Sequence, residues 1–250
     1  MTEPTDFHYV GNELELFARA QNWKRYWGAL LQPYLRGDVL EIGAGLGANT
    51  RLLCNGRQRR WVCLEPDPRL HDQLRAAVKQ TPLSSACEVR QGTTANLGAD
   101  ELFDAILYID VLEHIEDDVG ELRRAAAHLG NQGRLVVLAP AHPCLFSQFD
   151  AAVGHHRRYT RKSLKAAGGA AGNLRLERLA YLDCCGLLAS WANRVLLRQS
   201  MPRLRQILIW DRVLVPLSRM FDPFFLHRLG KSVLAVWVKA GPSPDISRTL

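Results

Sequence analysis

Apolar side chains give the first outline of the chain. Asn12 followed by Glu15 fits a helix start with a capping-box partner. Trp23, Tyr26, Trp27 and Leu30 then recur at helical spacing, so residues 13–35 are expected to form one amphipathic helix ended by Pro33 and Gly37. Short apolar runs follow, separated by helical stretches. Asp38–Ile42 reads as a first strand, Gly43–Gly47 as a glycine turn, and a helix continues through Cys54. Arg60–Leu64 is a second strand, residues 68–80 a helix, and Cys87–Gln91 a third strand. Phe103–Ile109 is a fourth, followed by a helix over Asp117–Leu129 and a fifth strand over Arg134–Ala139. Thr160 caps a helix over 161–171, and Leu174–Tyr181 and Ser232–Lys239 read as strands six and seven. Strands alternating with helices at this spacing predict an α/β fold, a parallel sheet covered on both faces.

The stretch between strands six and seven, residues 184–231, breaks that rhythm. It reads as helical and strongly apolar, with Trp191, Trp210, Met220, Phe221, Phe224 and Phe225 among its residues. Eight of its residues are Arg or Lys and two are Asp, so it carries +6 of the chain's net +7. An anionic partner suits that charge without being named by it. The basic residues lie among aliphatics with no RNA-binding motif, so nucleic acid is not the expected partner.

Composition narrows the class further. The chain has 250 residues, 47% hydrophobic and 23% charged, which excludes a disordered, collagenous or coiled-coil chain and suits one domain with an insertion. The six cysteines form no C-x-x-C pair and sit in apolar runs, so they read as reduced core residues rather than zinc or redox ligands. The opening MTEPTDFHYVGNE is polar and does not read as a secretory leader. A cytoplasmic protein is expected, either free or peripheral to the inner face of the membrane.

The chemistry gathers around V-L-E-I-G-A-G-L-G at 39–47. Gly43 lets the chain turn off the first strand, Gly45 lets a ligand approach the backbone, and Gly47 lets the next helix pack closely. Through Ala48 the run also matches G-x-G-x-x-A, so a nicotinamide oxidoreductase enters as one reading. Glu41, inside the strand, favours another. A buried carboxylate needs a cation or donors beside it. A sulfonium cofactor meets that need, and a pyrophosphate does not. Glu65, at the end of the second strand, suits the two hydroxyls of a ribose with either cofactor.

With L-E-P-D-P at 64–68, D-V-L-E-H-I at 110–115 and G-R-L-V-V-L-A-P at 133–140, the chain resembles class I S-adenosylmethionine-dependent methyltransferases, in particular bacterial members of the type 11 and 12 groups. The resemblance covers about 35–183 and the final strand. It implies a Rossmann-like seven-stranded sheet, mostly parallel with an antiparallel last strand, and here a helical insert between strands six and seven. The implied organisation is one domain: an N-terminal helical cap over 1–36, a cofactor-binding core over 37–183, the insert over 184–231 and the last strand over 232–241. It also implies S-adenosyl-L-methionine as cofactor. Glu41, Gly43 and Gly45 would line its methionine end, with Gly47 completing the turn. Glu65 would hold the ribose, Pro66 would lie beside the adenine, and Asp110 would sit near the sulfonium. Many relatives carry an acidic residue after strand three that binds the adenine amino group. Here the stretch is Gln91-Gly-Thr-Thr-Ala95, which leaves Thr93 or Thr94 for that contact.

Asp110, Glu113 and His114 have i, i+3, i+4 spacing and would share one face of a helical turn. A second polar run, His155-His-Arg-Arg-Tyr159, follows strand five and should emerge at the same carboxyl edge of the sheet. Two chemistries fit. Asp110, Glu113, His114 and His156 could bind a divalent metal, a pattern similar to that of small-RNA 2′-O-methyltransferases and ubiquinone-pathway O-methyltransferases. Alternatively His156 or His114 acts as general base, taking a hydroxyl proton as the methyl group moves. Either points to O-methylation of a small or lipid-linked hydroxyl acceptor. N- or C-methylation stands as the alternative within the class, and a non-catalytic cofactor-binding partner subunit as the alternative outside it. The insert reads in three ways: a lid over the acceptor, a contact with anionic membrane, or a plain helical hairpin with solvated arginines.

Overall fold

A computed structural model describes residues 13–80, 86–192 and 203–241. The Asn12 cap and Arg194 and Arg198 of the insert lie outside them. The expected single helix over 13–35 is two: α1 (Glu13–Ala18) and α2 (Gln21–Leu31), then a short turn over Gln32–Tyr34 with Pro33 at its start. The break falls at Ala20, fully buried with φ −79° and ψ 73°. Ala20 cannot cap α2 with its side chain. An acid from the insert does so instead: Asp211 accepts the backbone N–H of Trp23 at 2.8 Å and of Asn22 at 3.2 Å.

The core then alternates β1 (Gly37–Ile42), α3 (Thr50–Leu53), β2 (Gln58–Glu65), α4 (Pro68–Lys79), β3 (Cys87–Gln91), β4 (Phe103–Ile109), α5 (Asp118–Ala127) and β5 (Leu129–Pro140). After β5 come α6 (Gln148–Ala152), α7 (Arg161–Ala170) and β6 (Leu174–Leu182). The insert holds α8 (Cys184–Ala192), α9 (Leu204–Ile209), a wide π turn over Trp210–Leu214 and α10 (Val215–Phe224), and β7 (Ser232–Lys239) ends the sheet. The strand order is β3-β2-β1-β4-β5-β7-β6. β1 to β5 pair in parallel, and β7 runs antiparallel between β5 and β6. This is the Rossmann-like sheet that the sequence predicts.

Alternation along each strand divides the core between two faces. Ala105, Leu107 and Ile109 of β4 join Trp27, Trp61 and Val136 on one, while Ile106 and Tyr108 join Leu122, Leu164 and Trp237 on the other. Local caps fix the helix entries that meet the sheet edge. Asp67 accepts the backbone N–H of Arg69 at 2.8 Å, with Pro68 opening α4, and Thr160 accepts that of Ser163 at 3.0 Å to cap α7. A side chain at Gly168 would run into the Trp237 ring, so glycine there lets α7 lie on β7.

The insert is tied down by its own acids. Asp222 accepts from Tyr26 Oη at 2.7 Å, from the backbone N–H of Asp183 at 2.7 Å and from that of Cys184 at 2.9 Å. Asp183, at the end of β6, accepts from Trp210 Nε1 at 2.7 Å and Ser218 Oγ at 2.6 Å. Asp211 and Asp222, the only acids of the insert, are therefore both buried and engaged. Its exposed surface carries arginines and large apolar groups: Trp191, Met220 and Phe224 are 61, 60 and 79% exposed. No helix among the described residues is long and apolar enough to cross a membrane.

Candidate active site

The carboxyl ends of the central strands open into one cavity of about 240 Å³. The glycine turn forms one wall. Gly43, Gly45 and Gly47 have φ of 63°, 54° and 70°, the left-handed region that glycine adopts freely. A Cβ at Gly43 would lie 2.7 Å from Val111 Cγ2, and one at Gly47 would lie 2.5 Å from Leu74 Cδ1. The helix that Gly47 admits is thus α4, not the next helix in sequence. Among the described residues, a Cβ at Gly45 would meet nothing nearer than Leu14 Cδ1 at 3.7 Å, so Gly45 borders open cavity that a side chain would fill.

Asp110 lies on the floor, held at φ 54° as β4 ends. Strain of that kind in a non-glycine residue collects at functional sites. Much of the Asp110 side chain faces the cavity, yet protein surrounds it. That burial raises its pKa, against the pull of Lys24, His155 and Lys231. Lys24 of α2 lines the same wall and donates to Asn49 Oδ1 at 2.9 Å. Sequence reasoning missed Lys24. Lys24 and Arg25 are adjacent cations between Trp23 and Trp27, and the fold half-buries Lys24 while Arg25 stays exposed.

Glu41 and Glu65 stand behind this wall rather than on the cavity lining. Glu41 Oε2 accepts from Thr50 Oγ1 at 2.7 Å and Trp61 Nε1 at 2.9 Å, while its buried Oε1 has no partner among the described residues. Burial pushes its pKa up to about 7 despite those bonds. Glu65 accepts the backbone N–H of Gly45 at 2.7 Å and of Asp67 at 3.0 Å, one on each oxygen. Each oxygen keeps a second lone pair for a further donor. Pro66, Thr93 and Thr94 also lie off the lining. Thr93 caps a short turn, and Thr94 is buried with its hydroxyl donated to Glu121 at 2.8 Å.

In the same cavity as the glycine turn, Glu113, His114 and His155 present ligand atoms within 4.8 Å of one another. Asp110 is outside that group, and so is His156. The backbone N–H of His156 donates to the Glu113 carbonyl at 2.8 Å while its side chain faces outward, and its neighbour His155 takes the inner place. Asp150 of α6 explains the choice. It accepts from His155 Nδ1 at 2.9 Å, with Arg158 Nε at 2.7 Å and Ser147 Oγ at 2.8 Å holding it in turn. These partners keep the Asp150 carboxyl well below the usual range despite burial. His155 Nε2 then faces Glu113 Oε1 at 3.9 Å. Among the described residues neither Glu113 oxygen has a hydrogen-bond partner, and burial, with Asp110 nearby, pushes its pKa well up. Burial and the neighbouring His155 lower the His114 pKa to about 4, so that ring is neutral at pH 7.

A glycine turn under a seven-stranded sheet, with one acid closing β4, is a family arrangement. The family model described as a methyltransferase domain matches residues 16–175. The chain belongs to that family. It is an S-adenosylmethionine-dependent methyltransferase, and S-adenosylmethionine is its cofactor. The open space beside Gly45 and the opposite charges of Lys24 and Asp110 fit a ligand that carries both an amine and a carboxylate. A search of curated proteins gives no match. Solved structures match the methyltransferase closely in fold. A Galdieria sulphuraria protein described as a sarcosine dimethylglycine methyltransferase has 16% identity and a TM-score of 0.60, covering 89% of this chain and 86% of its own. The [4+2]-cyclase SpnF has 15% identity and a TM-score of 0.62, covering 94% and 88%. Mitomycin 7-O-methyltransferase MmcR has 20% identity and a TM-score of 0.56, covering 90% of this chain and 57% of its own. A cyclase among them shows that the fold alone does not name the reaction.

Proposed function

We propose that this methyltransferase transfers the methyl group to a hydroxyl oxygen of a small or lipid-linked acceptor bound between the glycine turn and the histidine cluster. One observation carries the reading: Glu113, His114 and His155 share a cavity with Gly43, Gly45 and Asp110. S-adenosylmethionine supplies an electrophilic methyl on a sulfonium. Asp110 and the orphaned Oε1 of Glu41 supply negative charge for its cationic groups, Lys24 a donor for its carboxylate, and Glu65 acceptors for its ribose.

The chain's own contribution to the chemistry is a proton acceptor and a fixed geometry. Asp150 holds the Nδ1–H tautomer of His155, which leaves the Nε2 lone pair toward the cavity. His155 takes the acceptor's hydroxyl proton at Nε2, and Asp150 stabilises the imidazolium that forms. Positioning and exclusion of water supply most of the acceleration. The same residues fit a divalent cation: a carboxylate with no donor of its own, a neutral imidazole and a carboxylate-backed imidazole. Held by Glu113, His114 and His155, it would supply a Lewis acid that lowers the pKa of the acceptor hydroxyl.

The insert serves as a lid over the acceptor and rests on anionic membrane. Ser190, Trp210 and Lys231 line the acceptor side of the cavity. Large apolar side chains crowd the outer surface, where every exposed charge is cationic because both acids are buried. The test of the whole proposal is methyl-labelled S-adenosylmethionine incubated with protein and cell extract. Label on an oxygen in the lipid-soluble fraction is expected. Label on nitrogen or carbon contradicts it.

A further inference from the structure

Among the described residues, three Lys or Arg side chains line the cavity, and two of them have hydrogen-bond partners within the protein. Lys24 donates to Asn49 beside the glycine turn, and Arg158 lies two-pronged on Asp150 at 2.7 and 3.0 Å. Lys231 is different. Its ammonium sits 3.6 Å from the centre of the Trp210 ring, a contact that holds charge without using an N–H. The nearest acid, Asp183, is 3.9 Å away, beyond hydrogen-bond reach, and its oxygens already accept from Trp210, Ser218 and Gly186. Among the described residues, no protein acceptor takes any of the three N–H groups of Lys231.

The backbone at Lys231 is nonetheless fixed from both sides. Its N–H donates to the Asp183 carbonyl at 3.1 Å, and its carbonyl accepts from Ala141 at 2.8 Å. His142 Nε2 lies 2.9 Å from the Gly230 carbonyl just before it. A side chain at Gly230 would collide with the Leu182 backbone, so glycine there lets the chain deliver Lys231 against the end of β6. A held backbone, an ammonium parked on an aromatic face and unmade donors in a cavity describe a preorganised anion receptor.

We propose that Lys231 is the subsite for an anionic oxyacid group, phosphate or carboxylate, on the acceptor. This rests on the acceptor reading above and sharpens it: the substrate carries an apolar body, a hydroxyl and one terminal anion. The body meets Phe17, Phe149, Val153 and Trp210, which line the same cavity as Lys231 and the histidine cluster. Charge-assisted bonds to Lys231 select the anion over a neutral head.

The test uses the full-length protein saturated with S-adenosylhomocysteine and titrated by calorimetry with octyl phosphate, octanoate and octanol. One of the two anions should bind at least about tenfold more tightly than octanol, and which one does so names the oxyacid. Lys231→Met should erase that preference while its affinity for S-adenosylhomocysteine stays at the wild-type value, which also reports that the variant folds. Lys231→Arg should keep the preference. Equal binding of the three probes to the wild type, or a preference that survives in Lys231→Met, overturns the subsite alone. Failure of the wild type to bind S-adenosylhomocysteine overturns the cofactor reading, and the subsite with it.

Discussion

The carboxylate of Asp211 accepts the backbone N–H of Trp23 at 2.8 Å across 188 residues of chain. The insert thereby caps α2, the helix that brings Lys24 to the cavity, and insert and cofactor wall become one unit. Asp211→Ala leaves a buried backbone donor at Trp23 and a half-buried one at Asn22 without this partner, and should destabilise the protein by about 1–2 kcal/mol, the usual scale for a lost cap. Urea unfolding measures it, with Asp211→Asn retaining part of the effect because its amide oxygen still accepts. A change of less than about 0.5 kcal/mol, the scale of an ordinary surface substitution, contradicts the coupling.

Glu41 predicts a pH-dependent stability. Its pKa rises from 4.5 in the unfolded chain to about 7 in the folded one. The folded state therefore favours its protonated form. The stability this gives is fully present below pH 4.5 and is lost as pH rises through 7. Glu41→Gln keeps an acceptor for Thr50 and Trp61 but carries no charge to bury. Its advantage over the wild type should grow between pH 5 and pH 8 towards an upper limit on the order of 3 kcal/mol. Thermal melts across that range decide it, and a difference that does not change with pH would rule the explanation out.

The histidines separate by position. His155 is inside on Asp150 and His156 is outside. With the acceptor identified by label transfer, His155→Ala should lower turnover by about 10²–10⁴, the range for a general base, while His156→Ala leaves it unchanged. EDTA discriminates the two roles of His155. Turnover that survives chelation assigns it the proton alone, and turnover lost and restored by magnesium, manganese or zinc assigns the Glu113–His114–His155 set to a cation. Loss of activity in His156→Ala but not in His155→Ala would contradict the site as built.

For the insert, the expected outcome is partial sedimentation with anionic liposomes, weakened by salt because exposed charges are screened over about 10 Å at 0.1 M. Arg205, Arg212 and Arg219 are exposed, and replacing all three with Gln should reduce sedimentation without changing cofactor affinity. Equal recovery in the supernatant with and without liposomes would leave the lid role alone.

Much of this was legible in the chain because the central strands are buried on both faces and read as apolar runs. The glycine turn was legible for a different reason: its three positive-φ positions require glycine. The misreadings share a cause, which is that long-range partners leave no local trace. Residues 13–35 keep helical periodicity across the break at Ala20 because Asp211, far along the chain, caps the second piece. The expected helix to Leu129 and strand from Arg134 became a strand from Leu129, since Gly130-Asn-Gln-Gly133 reads as a turn while Leu129 pairs with Phe103 through an irregular register. Adjacent histidines in an irregular segment have no period to tell them apart. Asp150 makes the choice, and only the fold brings it beside His155.

The cavity beside Gly45 is expected to hold the cofactor, and calorimetry with S-adenosylhomocysteine measures that binding. Gly45→Val fills open space and places a branched side chain at φ 54°, a backbone strain on the order of 1–3 kcal/mol that a 250-residue fold should survive, as circular dichroism will report. The wild type should bind, and the variant, still folded, should not. A folded Gly45→Val that binds S-adenosylhomocysteine as tightly as the wild type would contradict the placement of the site.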